Sequence, residues 1–304
     1  MREAIPRALD GERLDRVIAL LTGLPRARVA ELVAAGDVRV GGTASGTRSR
    51  RVAEGEVVEV DLPPDVLEAP RPAPDPGVAF DVVDADDDLI VIDKPAGLVV
   101  HPDAGNVEGT LVNGVLARFP DVAGVGDPGR PGVVHRLDRG TSGLLIVART
   151  PAAHASLVAQ LRARSVERAY VALAWGSFEA PAGLIDAPVG RADVDRTRMA
   201  VSARGREART RYRVRRSFTH PTELALVECR LETGRTHQIR VHLAAIGHPV
   251  VGDARYRGAR PSVPLGRPFL HAYRLAFDHP ATGARVEHEV ALPPDLADVL
   301  AQLS

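Results

Sequence analysis

Residues 135–143 read His135-Arg136-Leu137-Asp138-Arg139-Gly140-Thr141-Ser142-Gly143, and an apolar run, Leu144-Leu145-Ile146-Val147-Ala148, follows at once. One carboxylate sits between two arginines, in a loop of small polar residues that feeds a buried strand. Two guanidinium groups beside Asp138 favour its charged form. An ionised carboxylate held beside cations suits a nucleophile or base that meets an anionic substrate. The same spacing also describes an Arg-Asp-Arg ion cluster at the head of a strand, and spacing alone leaves both readings open.

Three further groups carry chemically capable residue types. Asp93-Lys94-Pro95-Ala96-Gly97 holds Lys94, the one lysine among 39 basic side chains. Its proline and glycine set the backbone of a loop. Arg168-Ala169-Tyr170 lies in an alternating segment, where a tyrosine ordinarily packs against its neighbours. Gly234-Arg235-Thr236-His237-Gln238-Ile239-Arg240-Val241-His242 offers two histidines. Their spacing of five does not place them on one helical face, and no acidic or cysteine cluster accompanies them, so no metal is expected.

The elements that must position these groups are legible from periodicity. Asp88 to Asp93 reads as a buried strand. Gly109 to Asn113 opens a helix. Thr150-Pro151 is a cap and first-turn pair for a helix running to about Arg164, with Leu157, Val158 and Leu161 inward. Residues 166–173 alternate as a strand. Thr236 is the expected cap of a helix that turns Ile239, Leu243 and Ile246 inward and closes at Gly247 and Pro249. Residues 196–213 alternate arginine with smaller side chains, which on a strand places positive charge on one face. RNA backbone contact and a solvated hairpin both fit that pattern.

Residues 63–77 hold six prolines and cannot join a regular element. They are expected to link a small N-terminal domain, 1–62, to a large one, 78–304. In the small domain, Leu14, Val17, Ile18 and Leu21 recur at helical spacing, and Gly23 can end that helix. A second helix runs from Arg26 to Ala35. Val38-Arg39-Val40 then meets Gly41-Gly42 as a hairpin, and Val52 and residues 57–60 suggest closing strands.

Composition sets the bounds. The formal net charge is zero, with one cysteine and 45% hydrophobic residues. A single cysteine excludes an intrachain disulfide framework and fits a reducing compartment. There is no apolar run of about 18 residues and no hydrophobic signal segment, so a soluble cytosolic protein is expected. The charge is unevenly spread: residues 61–100 carry 2 basic and 10 acidic side chains, residues 201–304 carry 16 and 10. A local basic face, not the total, governs phosphate binding.

The residues around Asp138 are similar to the catalytic signature of the RNA pseudouridine synthases of the large-subunit ribosomal RNA and tRNA type, HRLDRxTSG. The segment at Lys94, Pro95 and Gly97 resembles that family's KPxG motif. Residues 168–170 resemble its Lys-x-Tyr motif with arginine in place of lysine, and residues 234–242 match GRTHQIRVH. The resemblance implies that Asp138 is catalytic, that Arg240 pairs with it, and that Tyr170 stacks under the target base and takes part in proton transfer. It also implies that Arg136 fills the space of a flipped-out uridine. Arg139 and Arg235 are expected as further RNA contacts, and Lys94, Pro95, Gly97, His135 and Thr141 as supporting residues. Residues 11–62 resemble the S-four-like (αL) RNA-binding domain, with Arg26 and Arg28 as its RNA contacts and Gly41-Gly42 where Asn-Gly is usual.

The fold implied is mixed α/β (α+β), a central antiparallel sheet with flanking helices and a cleft, behind the small αL domain. The activity implied is cofactor-free isomerisation of uridine to pseudouridine in ribosomal RNA, by a cytoplasmic monomer that needs no membrane. Asp138 would begin it by attack at C1′ or by taking a proton from the sugar. A tRNA target, a non-catalytic RNA-binding or ribosome-assembly factor, and a nucleoside hydrolase are the alternatives. The hydrolase lacks a second placed carboxylate.

Overall fold

The computed structural model describes the chain except residues 23, 25, 63–70, 103 and 104, and the side chains of residues 26 and 27. The expected helix stop at Gly23, the side chain of Arg26 and residues 63–70 of the expected linker therefore lie outside the described residues. The chain divides into two compact units, Met1–Pro70 and Arg71–Ser304.

The small unit contains β1 (Arg2–Ala4), α1 (Leu14–Thr22), α2 (Arg26–Ala35), β2 (Val38–Val40), β3 (Thr43–Ala44) and β4 (Val57–Val60). The strands form an antiparallel sheet in the order β1-β4-β2-β3. Leu14, Val17 and Ile18 pack with Val29, Leu32 and Val33 against Val38, Val40, Val58 and Val60. Gly41 and Gly42 take φ of 60° and 78°, as a tight hairpin with two left-handed central residues requires. Val52 joins this core without belonging to a strand. Strand β1 is an addition to the sequence reading; its three exposed residues carry no alternation to reveal it.

The large unit runs β5 (Asp81–Ala85), β6 (Leu89–Lys94), α3 (Leu111–Arg118), β7 (Ser142–Ala148), α4 (Pro151–Ala163), β8 (Glu167–Trp175), β9 (Ala182–Asp186), β10 (Val189–Arg191), β11 (Met199–Val201), β12 (Arg209–Phe218), β13 (Leu224–Leu231), α5 (Gln238–Ala245), β14 (Leu270–Asp278), β15 (Arg285–Glu289) and α6 (Pro294–Ala301). The main sheet follows the order β5-β6-β7-β14-β8-β13-β12-β9, with β15 on β14. It is the mixed architecture expected, antiparallel throughout its named pairings except β7 with β14. Gly143 makes that one parallel contact possible. Its φ is 111°, and a Cβ there would stand 2.3 Å from the Ala272 carbonyl oxygen.

The sheet is covered on both faces, which is why its central strands are apolar without interruption. Ile90, Ile92, Leu145 and Val147 point to one core with Leu111, Val115, Ile239, Leu243 and Leu296 of α3, α5 and α6. Leu89, Val91, Leu144 and Ile146 point to the other, with Ala153 and Leu157 of α4. Successive residues on a strand face opposite ways, so one apolar run serves two layers.

Helix starts follow local chemistry. Thr110 and Asn113 form a reciprocal cap on α3, and Thr150 Oγ1 accepts from the Ala153 N–H at 3.1 Å. Asn113 also donates from Nδ2 to the Ala73 carbonyl at 2.7 Å and accepts through its backbone oxygen from Asp75 at 2.9 Å. The start of α5 differs from the sequence reading. The cap position is His237, not Thr236, with φ 57° and no side-chain cap bond. Its left-handed backbone directs the ring toward Tyr256, 2.8 Å from Nδ1 to the hydroxyl. Ile246, expected inward, is exposed beyond the helix end, while Ile239 and Leu243 are buried. Leu157 is buried and Val158 and Leu161 are half-buried.

Candidate active site

The residues singled out around Asp138, Tyr170 and Arg240 converge on one cleft of about 550 Å³. Four segments supply most of it: the loop before β7, the C-terminal end of α4, strand β8, and the stretch from the end of β13 into the first turn of α5.

The loop carrying Asp138 is clasped to the Lys94–Gly97 loop. The Gly97 N–H donates to the Arg139 carbonyl at 2.7 Å, and Arg139 Nε returns a bond to the Gly97 carbonyl at 3.1 Å. Gly97 takes φ 89°, which leaves its backbone free to face Arg139. Lys94 is wholly buried under this clasp. Its ammonium donates to the carbonyls of Pro95 and Leu98 at 2.7 and 2.9 Å. Burial pushes Lys94 down to about 7, against the pull of the Asp138 charge. The Thr141 N–H closes the turn on the Asp138 carbonyl at 3.0 Å, and Thr141 Oγ1 is buried without a hydrogen-bond partner among the described residues. His135 Nε2 accepts from the Ile146 N–H at 3.1 Å; burial, aided by the nearby Arg168 charge, pushes the ring down to about 3. The imidazole is therefore a neutral strut between loop and strand.

Neither neighbouring arginine pairs with Asp138. Arg139 serves the clasp, and Arg136 is exposed, with Nη1 3.3 Å from His101 Nε2. The partner is Arg240, 102 residues later, whose Nη1 donates to Asp138 Oδ2 at 3.0 Å. His237 Nε2 lies 3.9 Å from the same oxygen. Burial holds His237 below the ordinary imidazole range although Asp138 pulls the other way.

Arg240 reaches Asp138 by a route that spacing did not indicate. Its Nε and Nη2 donate to Asp253 Oδ2 and Oδ1 at 2.6 and 2.9 Å. Asp253 is buried and also accepts from the N–H groups of Arg255 and Tyr256 at 3.1 and 3.3 Å. It thereby caps the short 3₁₀ turn Ala254–Tyr256. Tyr256 in turn holds His237. The signal for Asp253 was an aspartate between Gly252 and Gly258 ahead of a single turn. Gln238 is the other unforeseen member. Its Oε1 accepts from Thr233 Oγ1 and the Arg235 N–H at 2.7 and 3.0 Å, and its Nε2 donates to the Arg209 carbonyl and Thr210 Oγ1, each at 3.0 Å.

Tyr170 lies on β8 in the same cleft, 5% exposed. Burial pushes its hydroxyl up to about 12, Arg168 opposing and the Asp138 charge reinforcing the shift, so it enters any reaction as a neutral phenol. Arg168 is buried beside it, and its Nε has no partner among the described residues. Arg235 stands on the cleft wall with Arg164 and Arg206, and donates from Nε to the Glu207 carbonyl at 2.9 Å. The arginines of β12 are largely paired: Arg209 and Arg211 with Glu232 at 3.1 and 2.6 Å, Arg215 with Glu228 at 2.8 Å. In the small unit, Arg28 pairs with Glu31 at 2.5 Å.

His242 is a packed histidine bonded to Thr210 Oγ1 and the Ala187 carbonyl, both at 2.9 Å. Among the described residues no group of histidine, cysteine and carboxylate could hold a metal ion, and no helix is long and apolar enough to cross a membrane. The arrangement supplies an oriented carboxylate, a neutral buried phenol and arginines at the mouth, which suits general base or nucleophilic attack on an anionic polymer.

A family profile described as RNA pseudouridylate synthase matches residues 88–245. The chain is 43% identical over 318 residues to the ribosomal large subunit pseudouridine synthase D of Xanthomonas campestris, covering 100% of this chain and 92% of that one. It is 42% identical over 294 residues to an RNA pseudouridine synthase of Bacillus subtilis, covering 96% and 94%. Among solved structures, the human RNA pseudouridylate synthase domain containing 1 superposes with a TM-score of 0.57 at 29% identity, over 73% of this chain and 88% of that one.

Proposed function

Because the chain belongs to the RNA pseudouridylate synthase family and is an RNA-modifying isomerase, we propose that it converts specific uridines of large-subunit ribosomal RNA to pseudouridine, with Asp138 as the catalytic carboxylate. The reading is supported by the name of the relative it matches along its whole length. The observation that carries the chemistry is the 3.0 Å bond from Arg240 to Asp138 at the floor of a cleft shared with Tyr170.

In this reading the target uridine leaves the stack and enters the cleft. Arg136, exposed at the rim, takes the vacated place. Asp138 acts through its unbonded oxygen, either on C1′ or on a sugar proton. The bond from C1′ to N1 breaks, the uracil turns, and C5 bonds to C1′. The proton leaving C5 is balanced by one gained at N1, so no cofactor, oxidant or reductant is consumed. Tyr170, held as a phenol, packs under the ring and is placed to exchange a proton. Arg240 aims Asp138 through the bond to Oδ2. His135, Thr141, Lys94, Pro95 and Gly97 hold the two loops in register.

The RNA backbone is the source of most affinity. We assign it to Arg139 beside Asp138 in the chain, to Arg235 on the cleft wall, and to Arg26 and Arg28 of the small unit, which we read as an S-four-like RNA-binding domain ahead of a catalytic domain. We place the enzyme as a monomer in the cytoplasm, where ribosomal RNA is made and used. The test is tritium release from RNA labelled at uracil C5, with Asp138→Asn beside the wild type. Release by wild type alone is expected. Mapping pseudouridine in ribosomal RNA and tRNA from cells lacking the protein identifies the target; a missing site in tRNA alone would overturn the ribosomal assignment.

A further inference from the structure

We propose that Asp253 is a positioning residue for the reaction, holding the guanidinium of Arg240 so that Asp138 keeps one carboxylate oxygen free for the substrate; the inference rests on the reading of Asp138 as the catalytic group. An arginine facing a single carboxylate settles into a two-pronged pair that occupies both oxygens. Here that two-pronged pair is made with Asp253, through Nε and Nη2 at 2.6 and 2.9 Å. Asp138 takes a single bond from the opposite edge, Nη1 to Oδ2 at 3.0 Å. Among the described residues no hydrogen bond is made to Asp138 Oδ1. One oxygen of the pair is anchored and the other is left for chemistry.

The charges divide the same way. Two carboxylates share one guanidinium, so the group keeps one negative charge in excess. The Asp253 side chain is 1% exposed and saturated by four N–H donors, while that of Asp138 is 16% exposed and faces the cleft. The surplus charge therefore resides where the substrate arrives.

Asp253 can hold this geometry because its turn cannot shift. A Cβ on Gly258 would lie 1.7 Å from the Val250 carbonyl oxygen, and one on Gly252 would lie 2.0 Å from that of Arg267, so backbone packs on backbone on both sides. The Gly258 N–H donates to the Asp253 carbonyl at 2.8 Å, and the Asp253 N–H to that of Val250 at 3.1 Å. The Tyr256 ring closes a further side of Arg240, 5.1 Å from centroid to guanidinium carbon. Asp253 itself does not line the cleft. Its removal should leave RNA binding intact and act on the chemical step.

The test uses the full-length enzyme, tritium release under single turnover, and RNA affinity by filter binding. Asp253→Asn is isosteric and uncharged. It should lower kcat about 100-fold, the usual consequence of misplacing a reacting group by about an ångström. The Kd for RNA should stay within about threefold of wild type. Combining it with Arg240→Ala separates positioning from mere support. If Asp253 acts through Arg240, the double variant reacts as slowly as Arg240→Ala alone. It should also melt at a higher temperature than Arg240→Ala, because asparagine removes the buried charge that variant leaves unpaired. Wild-type kcat in Asp253→Asn would overturn the proposal. So would a further loss of tenfold or more in the double variant. If Asp253→Asn does not fold, the pair built on Arg240→Ala still decides. Turnover by Asp138→Asn at the wild-type rate would instead remove the underlying reading, and is scored separately.

Discussion

The two arginines beside Asp138 in sequence and the one beside it in space have opposite fates. Arg136 and Arg139 flank the carboxylate, yet one extends from the surface toward His101 and the other ties two loops together. Arg240 comes from α5 with buried Asp253 behind it, and it makes the bond. Adjacency in the chain does not commit an arginine to its neighbouring carboxylate, and these two take other partners. An arginine arriving from a packed helix, already bound on its other edge, has paid its ordering entropy elsewhere. In the proposed mechanism, local charge draws the substrate and distant charge aims the reacting group.

The largest effect expected is from Asp138→Asn. Tritium release should fall about 10³-fold or more, roughly 4 kcal/mol in barrier, with RNA affinity within about tenfold. Arg240→Ala comes next and breaks the comparison at its distant end. It should remove most activity and cost about 3–5 kcal/mol of stability, read by denaturant melting, because Asp253 is left buried and unpaired. Full activity with an unchanged melting temperature would make Arg240 a bystander.

Acid should sharpen the contrast between strut and surface. His135 and His271 are pushed to about 3 and about 4 by burial, so the folded state stays unprotonated where the unfolded chain takes up protons. The unfolded state then binds more protons below about pH 6.5, and stability must fall from there toward pH 3. Melting temperature measured from pH 7 to pH 4 should decline. The decline should be shallower in His135→Gln; an identical slope would show that the ring is not held neutral.

At the local end of the comparison, Arg136→Ala should change stability by no more than about 0.5 kcal/mol, since the side chain is exposed. Turnover on folded RNA should fall more than turnover on a short unstructured strand, where no stack has to be filled. Equal losses on both would end its assignment to the flipped base's place. Smallest is Arg28→Ala in the small unit. It should lower the slope of log affinity against log salt by about 1, without changing the rate of the bound complex.

Much of this was legible beforehand. The run 144–148 and the alternation at 166–173 declared strands because burial on one or both faces dictates residue type directly. Thr150 and Pro151 declared a helix start because capping is satisfied within four residues. Thr236 misled for an instructive reason: it has the right side chain for a cap, but the ring of His237 has a tertiary partner in Tyr256, and that contact moved the helix start. Ile246 carries the helical period one step past the point where the helix has ended. The arginines of 209–215 alternate as expected, yet Glu232 and Glu228, supplied by the following strand and the residue just after it, neutralise part of their charge.

What the sequence determined alone is decided within a few residues: the periods of strands and helices, the cap at Thr150, the hairpin at Gly41 and Gly42, and which side chains have the chemistry to act. What tertiary structure alone decided is who stands beside whom. Asp253 is an unremarked aspartate until the fold brings it behind Arg240, and Gly143 is a loop glycine until β14 lies against it. Hydrogen bonds and ion pairs act over about 3 Å. A pairing across 102 residues therefore exists only once the sheet has brought both ends to that distance.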